Sequence, residues 1–232
     1  MEESICPKCG GKGWIFFKGE NGYDYCKECE CQEVVKAKER LKHSGISDEF
    51  LKKGFKNFND RGLDVLKKAK EIGIRYCKEF PDIKDTKRNS VLYMGQVGSG
   101  KTHLSMAICN AVMNNYKTGV LYMPYREEMV RIKQVVNDEI DYNNAISKFK
   151  QCPVLMIDDL LKGKSTEADV NILFEIINYR YVNNMPMIVS TEKTMDELLD
   201  FDEGTMSRVI EMARGHSIEI IGREYNYRLY GD

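Results

Sequence analysis

The chain has 232 residues, with 35 Lys and Arg against 36 Asp and Glu, so its formal net charge is -1. Hydrophobic residues make up 42% and charged residues 31%, which is enough apolar matter for a core and excludes wholesale disorder. No apolar run approaches the roughly 18 residues of a membrane span, and Met1 to Trp14 lacks the basic-then-apolar order of a secretory signal, so a cytoplasmic protein with no membrane partner is expected.

The first predicted element is a metal module over residues 1–35. Five of the eight cysteines lie here: Cys6, Cys9, Cys26, Cys29 and Cys31. In a reducing compartment, clustered cysteines bind metal more often than they form disulfides. Cys6-x2-Cys9 and Cys26-x2-Cys29 are 16 residues apart, the spacing of a four-thiolate zinc site. Cys29-Glu30-Cys31 offers another second pair, so which four of the five bind stays open. Four thiolates leave no position for a water ligand, which makes the site structural rather than catalytic. Trp14–Phe17 and Tyr23–Tyr25 flank Asn21-Gly22, a hairpin signal. A module this small buries no core of its own, so zinc contributes its folding free energy.

Residues 36–58 read as a helical connector, with a helix over Val34–Leu41, a stop at Ser44-Gly45 and a second helix start at Ser47–Leu51. Residues 59–232 form the core. An apolar strand, Val91–Met94, runs into Gly95, Gln96, Val97, Gly98, Ser99, Gly100, Lys101 and Thr102, followed by His103. This is the Walker A spacing Gly-x4-Gly-Lys-Thr. Leu104, Ala107, Ile108, Ala111 and Val112 then recur with helical period. The order strand, glycine loop, helix is what phosphate binding needs: glycines let backbone N–H groups face the phosphates, and the helix N-terminus adds positive potential. Lys101 is expected on the β/γ-phosphates and Thr102 on Mg²⁺.

A second strand, Thr118–Met123, precedes a helical stretch from Tyr125 to Val136. A third, Pro153–Asp159, is an apolar run ending in two acids, the Walker B form. Asp158 is expected to hold Mg²⁺ through water and Asp159 to position the attacking water. A helix with Val170, Leu173, Phe174, Ile177 and Tyr181 on one face follows, then a strand, Met187–Thr191, ending in hydroxyls. Thr194-x-x-Glu197 is a capping box for the next short helix, and Ser217–Ile221 is the last strand. Five strands alternating with helices predict a parallel, doubly wound sheet.

Residues from about 55 to 230 resemble the DnaC/DnaI/IstB-type AAA+ ATPases. The resemblance is carried by Phe55–Phe58, Gly95–Leu104, Val154–Leu160, Ile188–Thr191 and Ser207–Glu211. It implies an α/β fold: a P-loop AAA+ core with a five-stranded parallel sheet flanked by helices, beside the small N-terminal zinc module. With 24 residues after Arg208, a full lid is not expected. The cysteine module resembles that of zinc-containing helicase loaders, in which a Cys-x-Cys pair closes the cluster. That favours Cys29 and Cys31 over Cys26, against the generic spacing.

The resemblance further implies ATP with Mg²⁺ and a slow ATPase stimulated by a partner or by self-association. It places Ser190 or Thr191 at sensor 1. Arg208 falls at the arginine finger that acts in trans on a neighbouring copy, and Arg223 and Arg228 are candidates for a second sensor. The implied function is loading a hexameric replicative helicase onto single-stranded DNA during replication initiation or restart, with the zinc module docking the helicase. The alternative is a transposase-assisting ATPase. Arg126, Arg131, Lys133, Lys148 and Lys150, with Tyr125, Tyr142 and Phe149, offer a DNA-contacting element. Five acids in the same stretch cancel its charge and suit an ordinary helix pair equally. Lys162 and Lys164, just past Walker B, are a second candidate contact.

Overall fold

The computed structural model describes residues 6–19, 22–32, 35, 36, 39 and 52–231. Apart from Val35, Lys36 and Glu39, the helix expected over Val34–Leu41 lies outside the described residues, as does the helix start expected at Ser47–Leu51.

The N-terminal hairpin pairs β1 (Trp14–Lys18) antiparallel to β2 (Asp24–Glu28), in register from Trp14 opposite Glu28 to Lys18 opposite Asp24. Gly19 N–H bonds Tyr23 O at 2.9 Å, and Gly22 N–H bonds Gly19 O at 3.0 Å. The connection is therefore longer than the two-residue turn that Asn21-Gly22 suggests. Gly22, at φ 80, takes the left-handed position that closes such a loop.

The main sheet has five parallel strands in the order β4-β5-β6-β3-β7. These are β3 (Val91–Gly95), β4 (Val120–Pro124), β5 (Val154–Leu160), β6 (Met187–Thr191) and β7 (Ser217–Ile220). All five residues of β3 are buried, as expected of an apolar run covered on both faces. Side-chain alternation divides that run between two cores. Val91 and Tyr93 pack with α1 (Asp64–Ile83) and α2 (Lys101–Tyr116) through Leu66, Tyr76, Leu104 and Ile108. Leu92 and Met94 face the other side, with Leu173 and Ile177 of α5 (Glu167–Val182) and Met206 and Val209 of α6 (Met195–Met212).

The stretch after β4 is two helices, α3 (Tyr125–Gln134) and α4 (Glu139–Gln151), with Asp138 capping the second through Asp141 N–H. The Thr194–Glu197 capping box forms as expected, with Glu197 N–H on Thr194 Oγ1 at 3.2 Å and Thr194 N–H on Glu197 Oε2 at 2.9 Å. The helix it starts is short because α6 is broken at Asp202, with φ -161 and ψ 96. After β7 come a 3-10 turn (Arg223–Tyr225) and the four-residue α7 (Tyr227–Tyr230). A second 3-10 turn, Phe55–Asn57, precedes α1.

One buried cation ties the non-functional edge together. Arg180 of α5 is fully buried and donates to Phe149 O at 2.8 Å, Cys152 O at 2.9 Å and Pro186 O at 2.7 Å. It thereby joins the end of α4 to the starts of β5 and β6. Without it these carbonyls lose a charged donor in a water-poor interior. Arg180→Met is expected to lower the unfolding free energy in urea by about 3 kcal/mol, and a loss under about 1 kcal/mol would contradict this role.

Candidate nucleotide site and cysteine cluster

The loop between β3 and α2 turns on two glycines. Gly95 has φ 94, and a Cβ there would stand 2.2 Å from Ile220 O of the neighbouring strand. Gly100 has φ 87, and a Cβ there would meet the Phe58 ring at 2.5 Å. Ser99 Oγ bonds Gln96 O at 2.8 Å and braces the loop. The Lys101 ammonium lies inside it, on Gly95 O and Gln96 O at 2.7 Å each. Burial pulls the Lys101 pKa down to about 8, against the opposing pull of Asp159, Glu192 and Asp158.

A cavity of 390 Å³ opens beside this loop. One wall is Val97 to His103. A second is Asn57, Phe58 and Asn59, ahead of α1. The end of the chain supplies Tyr225, Tyr227 and Arg228, and the sheet edge supplies Asp159, Lys162 and Glu192.

Behind the loop, β5 delivers its two acids to different environments. Asp158 is buried; its Oδ1 accepts from Thr102 Oγ1 at 2.9 Å and from Ser190 Oγ, and its Oδ2 accepts from Tyr122 OH at 3.1 Å. Burial raises its pKa, and neighbouring Asp159 adds to the rise, against the hydroxyls that stabilise its charge. Asp159 has φ 54 and turns its carboxylate into the cavity. Its N–H bonds Ser190 Oγ at 3.1 Å. Ser190 thus touches both acids. Thr191 does not: its hydroxyl donates to Leu160 O at 2.7 Å and accepts from Lys193 N–H at 3.1 Å, stitching β5 to β6. The adjacent hydroxyl of Thr102 and carboxylate of Asp158 are hard oxygen donors of the kind Mg²⁺ takes.

The second cluster lies in the hairpin module. The sulfurs of Cys6, Cys9, Cys29 and Cys31 all lie within 4.8 Å of one another. Gly13 N–H points at Cys9 Sγ, 3.3 Å away. At Cys9 burial opposes ionisation, but the Gly13 N–H and the thiols of Cys31, Cys29 and Cys6 outweigh it and bring the pKa to about 7. Cys31 is pushed up to about 12, by burial first and then by the same thiols. The first proton thus leaves readily and later ones do not, which is how a shared cluster titrates. Four soft ligands at this separation suit zinc. Cys26 is not among them. It sits in mid-β2 opposite Phe16 and is exposed, whereas Cys29 follows the strand's end with its N–H on Gly13 O at 2.8 Å. The generic pairing of Cys26 with Cys29 is not what the fold brings together.

Residues 52–215 match the family described as the bacterial DnaA ATPase domain. The chain belongs to that family. The phage-like element PBSX protein XkdC of Bacillus subtilis (strain 168) is 34% identical, over 97% of this chain and 86% of that protein. The crystal structure of DnaI aligns with a TM-score of 0.62 at 24% identity, over 78% of this chain and 94% of that one. The crystal structure of the DnaC helicase loader aligns with a TM-score of 0.66 at 18% identity, over 75% of this chain and all of that one, 100%. At these identities the two structures show the fold.

Within this DnaA-family core the remaining expected site residues separate. His103 lines the cavity, with Nε2 3.0 Å from Gly54 O and its ring edge-on to Phe58 at 5.3 Å between centroids. Arg208 lies outside the cavity, on the α5–α6 surface. Its guanidinium stands 5.4 Å from the Phe174 ring centroid and 5.6 Å from that of Tyr181, and it donates to Gly204 O. Arg228 lines the cavity and Arg223 does not. The chain end is held there by Tyr227 N–H on Gly98 O at 2.9 Å and by Arg61, which donates to Glu224 O at 2.7 Å.

The basic and aromatic stretch 125–150 forms the helix pair α3 and α4. Tyr125 and Phe149 are buried in the core. Arg131 and Lys148 both pair with Glu128, Lys133 pairs with Asp169 at 2.9 Å, and Lys150 pairs with Glu175 at 3.0 Å. Tyr142 OH donates to Glu175 at 2.8 Å. Lys162 also has partners, Asp159 and Glu192. Asn57, Asn59, Tyr225 and Tyr227 line the cavity without a motif of their own in the sequence. Only the Phe55–Phe58 segment offered a signal, as part of the family likeness. Among the described residues, no helix is long and apolar enough to cross a membrane.

Proposed function

We propose that the chain is an ATP-driven loader that places a hexameric replicative helicase on single-stranded DNA, working in the cytoplasm. The observation that carries this reading is the meeting of Lys101, Thr102 and Asp159 at one cavity in a DnaA-family core, with buried Asp158 on the Thr102 hydroxyl behind it. The choice of loader draws support from the shared fold of DnaI and the DnaC helicase loader. A transposase as partner would leave the nucleotide site unchanged and alter only which protein co-elutes.

In this reading the N–H groups of the loop and the first turn of α2 bind the phosphates, and the Lys101 ammonium bridges the β- and γ-phosphates. Thr102 and Asp158 hold Mg²⁺, which supplies charge neutralisation on the phosphate oxygens. Asp159 orients the attacking water, and Ser190 fixes both acids in place. Asn57, Phe58 and His103 enclose the base. Cys6, Cys9, Cys29 and Cys31 hold zinc, and that module docks the helicase.

Arg208 acts on the ATP of a neighbouring copy, because a guanidinium stabilises charge developing on the transferred phosphoryl group. Hydrolysis is then slow in the isolated chain. The specific ATPase rate is expected to rise with protein concentration, and Arg208→Ala is expected to abolish the rise while leaving ATP affinity within about twofold. A rate that is independent of concentration and unchanged in Arg208→Ala would sink the trans assignment.

A further inference from the structure

Lys162 lies three residues past Asp159, and the turn between them has an uncommon backbone. Asp159 and Leu161 both take left-handed φ, 54 and 61, and Lys162 N–H closes the turn on Asp159 O at 3.0 Å. Non-glycine residues hold such angles at an energetic cost, and they gather where a side chain must be aimed. Here the side chain aimed is Lys162. Its Nζ stands 2.7 Å from Asp159 Oδ2 and 2.9 Å from Glu192 Oε1. Glu192 follows β6, so one ammonium bridges the ends of two adjacent strands. All three side chains line the cavity that Lys101 and Thr102 also line.

The chemistry of this triad is competitive. A carboxylate oxygen that already accepts from an ammonium is a weaker acceptor for water, so the pairing with Lys162 weakens Asp159 as a water-orienting group. A terminal phosphate carries more negative charge than either carboxylate, and its three oxygens make it a stronger claimant for a cation in the same cavity. A diphosphate lacks that group and leaves the ammonium with its two acids.

We propose that Lys162 reads the terminal phosphate of a nucleoside triphosphate, exchanging its pairing with Asp159 and Glu192 for a contact with that phosphate. This deepens, and rests on, the ATP reading above. The exchange selects triphosphate over diphosphate and releases Asp159 to orient water only when there is a phosphoryl group to transfer. Lys162 is thus a specificity-determining residue, distinct from Lys101, whose carbonyl contacts hold it within the loop.

The test is fluorescence titration of the full chain with a mant-labelled, non-hydrolysable ATP analogue and with mant-ADP, for the wild type, Lys162→Met, Lys162→Arg and Glu192→Gln. Circular dichroism melting checks that each is folded. Wild type is expected to favour the triphosphate. Lys162→Met should lose about tenfold of that preference, one charge-assisted contact, with ADP affinity within about twofold, and Lys162→Arg should keep most of it. Glu192→Gln, which removes one competing carboxylate, should raise the preference. Equal losses for both nucleotides in Lys162→Met, or an unchanged preference in both Lys162→Met and Glu192→Gln, would overturn the proposal while leaving the ATP site standing. Wild type that binds neither nucleotide would overturn the ATP reading itself.

Discussion

Lys101→Ala is expected to weaken ATP binding by at least about 100-fold and to remove hydrolysis, because two effects add. The substitution takes away the side-chain ammonium placed inside the loop, where Gly95 O and Gln96 O hold it at 2.7 Å. It also leaves those carbonyls without that donor, so the loop loses a brace as well as a charge. The same ammonium makes binding pH-dependent. Burial lowers its pKa to about 8, and only the protonated form attracts phosphate. Affinity is therefore steady below pH 8 and falls above it, by up to about tenfold per pH unit. Isothermal titration from pH 7 to 9.5 reads both effects. A Lys101→Ala chain that binds ATP like the wild type would contradict the site.

Cys29→Ser is expected to unfold the hairpin module, and Cys26→Ser to leave it intact. Cys29 is almost wholly inaccessible, 2% exposed, and is one of the four sulfurs of the cluster. A structural zinc site of this kind contributes about 10–16 kcal/mol of apparent folding free energy, far more than a hairpin of two five-residue strands gains by itself. Trp14, Phe16 and Tyr25 on that hairpin are exposed, so packing within it adds little. Zinc content should be one per chain in the wild type and in Cys26→Ser, and near zero in Cys29→Ser. Loss of zinc in Cys26→Ser would overturn the ligand assignment.

The sequence made the phosphate loop and the strand–helix order legible because both are local. Gly95 to Thr102 are contiguous, and the periodicity of each element is written within it. What escaped was set by distant partners or by backbone angles. Cys26 fits a zinc spacing, yet it lies in the middle of β2, a strand exposed along its length, while Cys29 follows the strand's end; nothing in the spacing reports where the strand ends. Lys162 reads as a candidate DNA contact beside Gly163; in the fold, left-handed angles at two non-glycine residues bring it onto Asp159. The cations of α3 and α4 read equally as a DNA-contacting element or an ordinary helix pair; the pairing of Lys133 with Asp169 and Lys150 with Glu175, on a helix beyond β5, is set by residues far along the chain. Tyr227 N–H reaches Gly98 O because β7 lies directly beside β3 in the sheet, a pairing of distant segments that no local pattern announces.

The measurement that bears most directly on the loader account is size-exclusion chromatography of the chain mixed with its host's replicative helicase, with and without ATP. It compares the wild type, Lys101→Ala and a chain lacking residues 1–50. The account predicts an ATP-dependent complex for the wild type, a complex insensitive to ATP or absent for Lys101→Ala, and none for the truncated chain. No wild-type complex under any condition, or full binding by the truncated chain with no response to ATP, would contradict it.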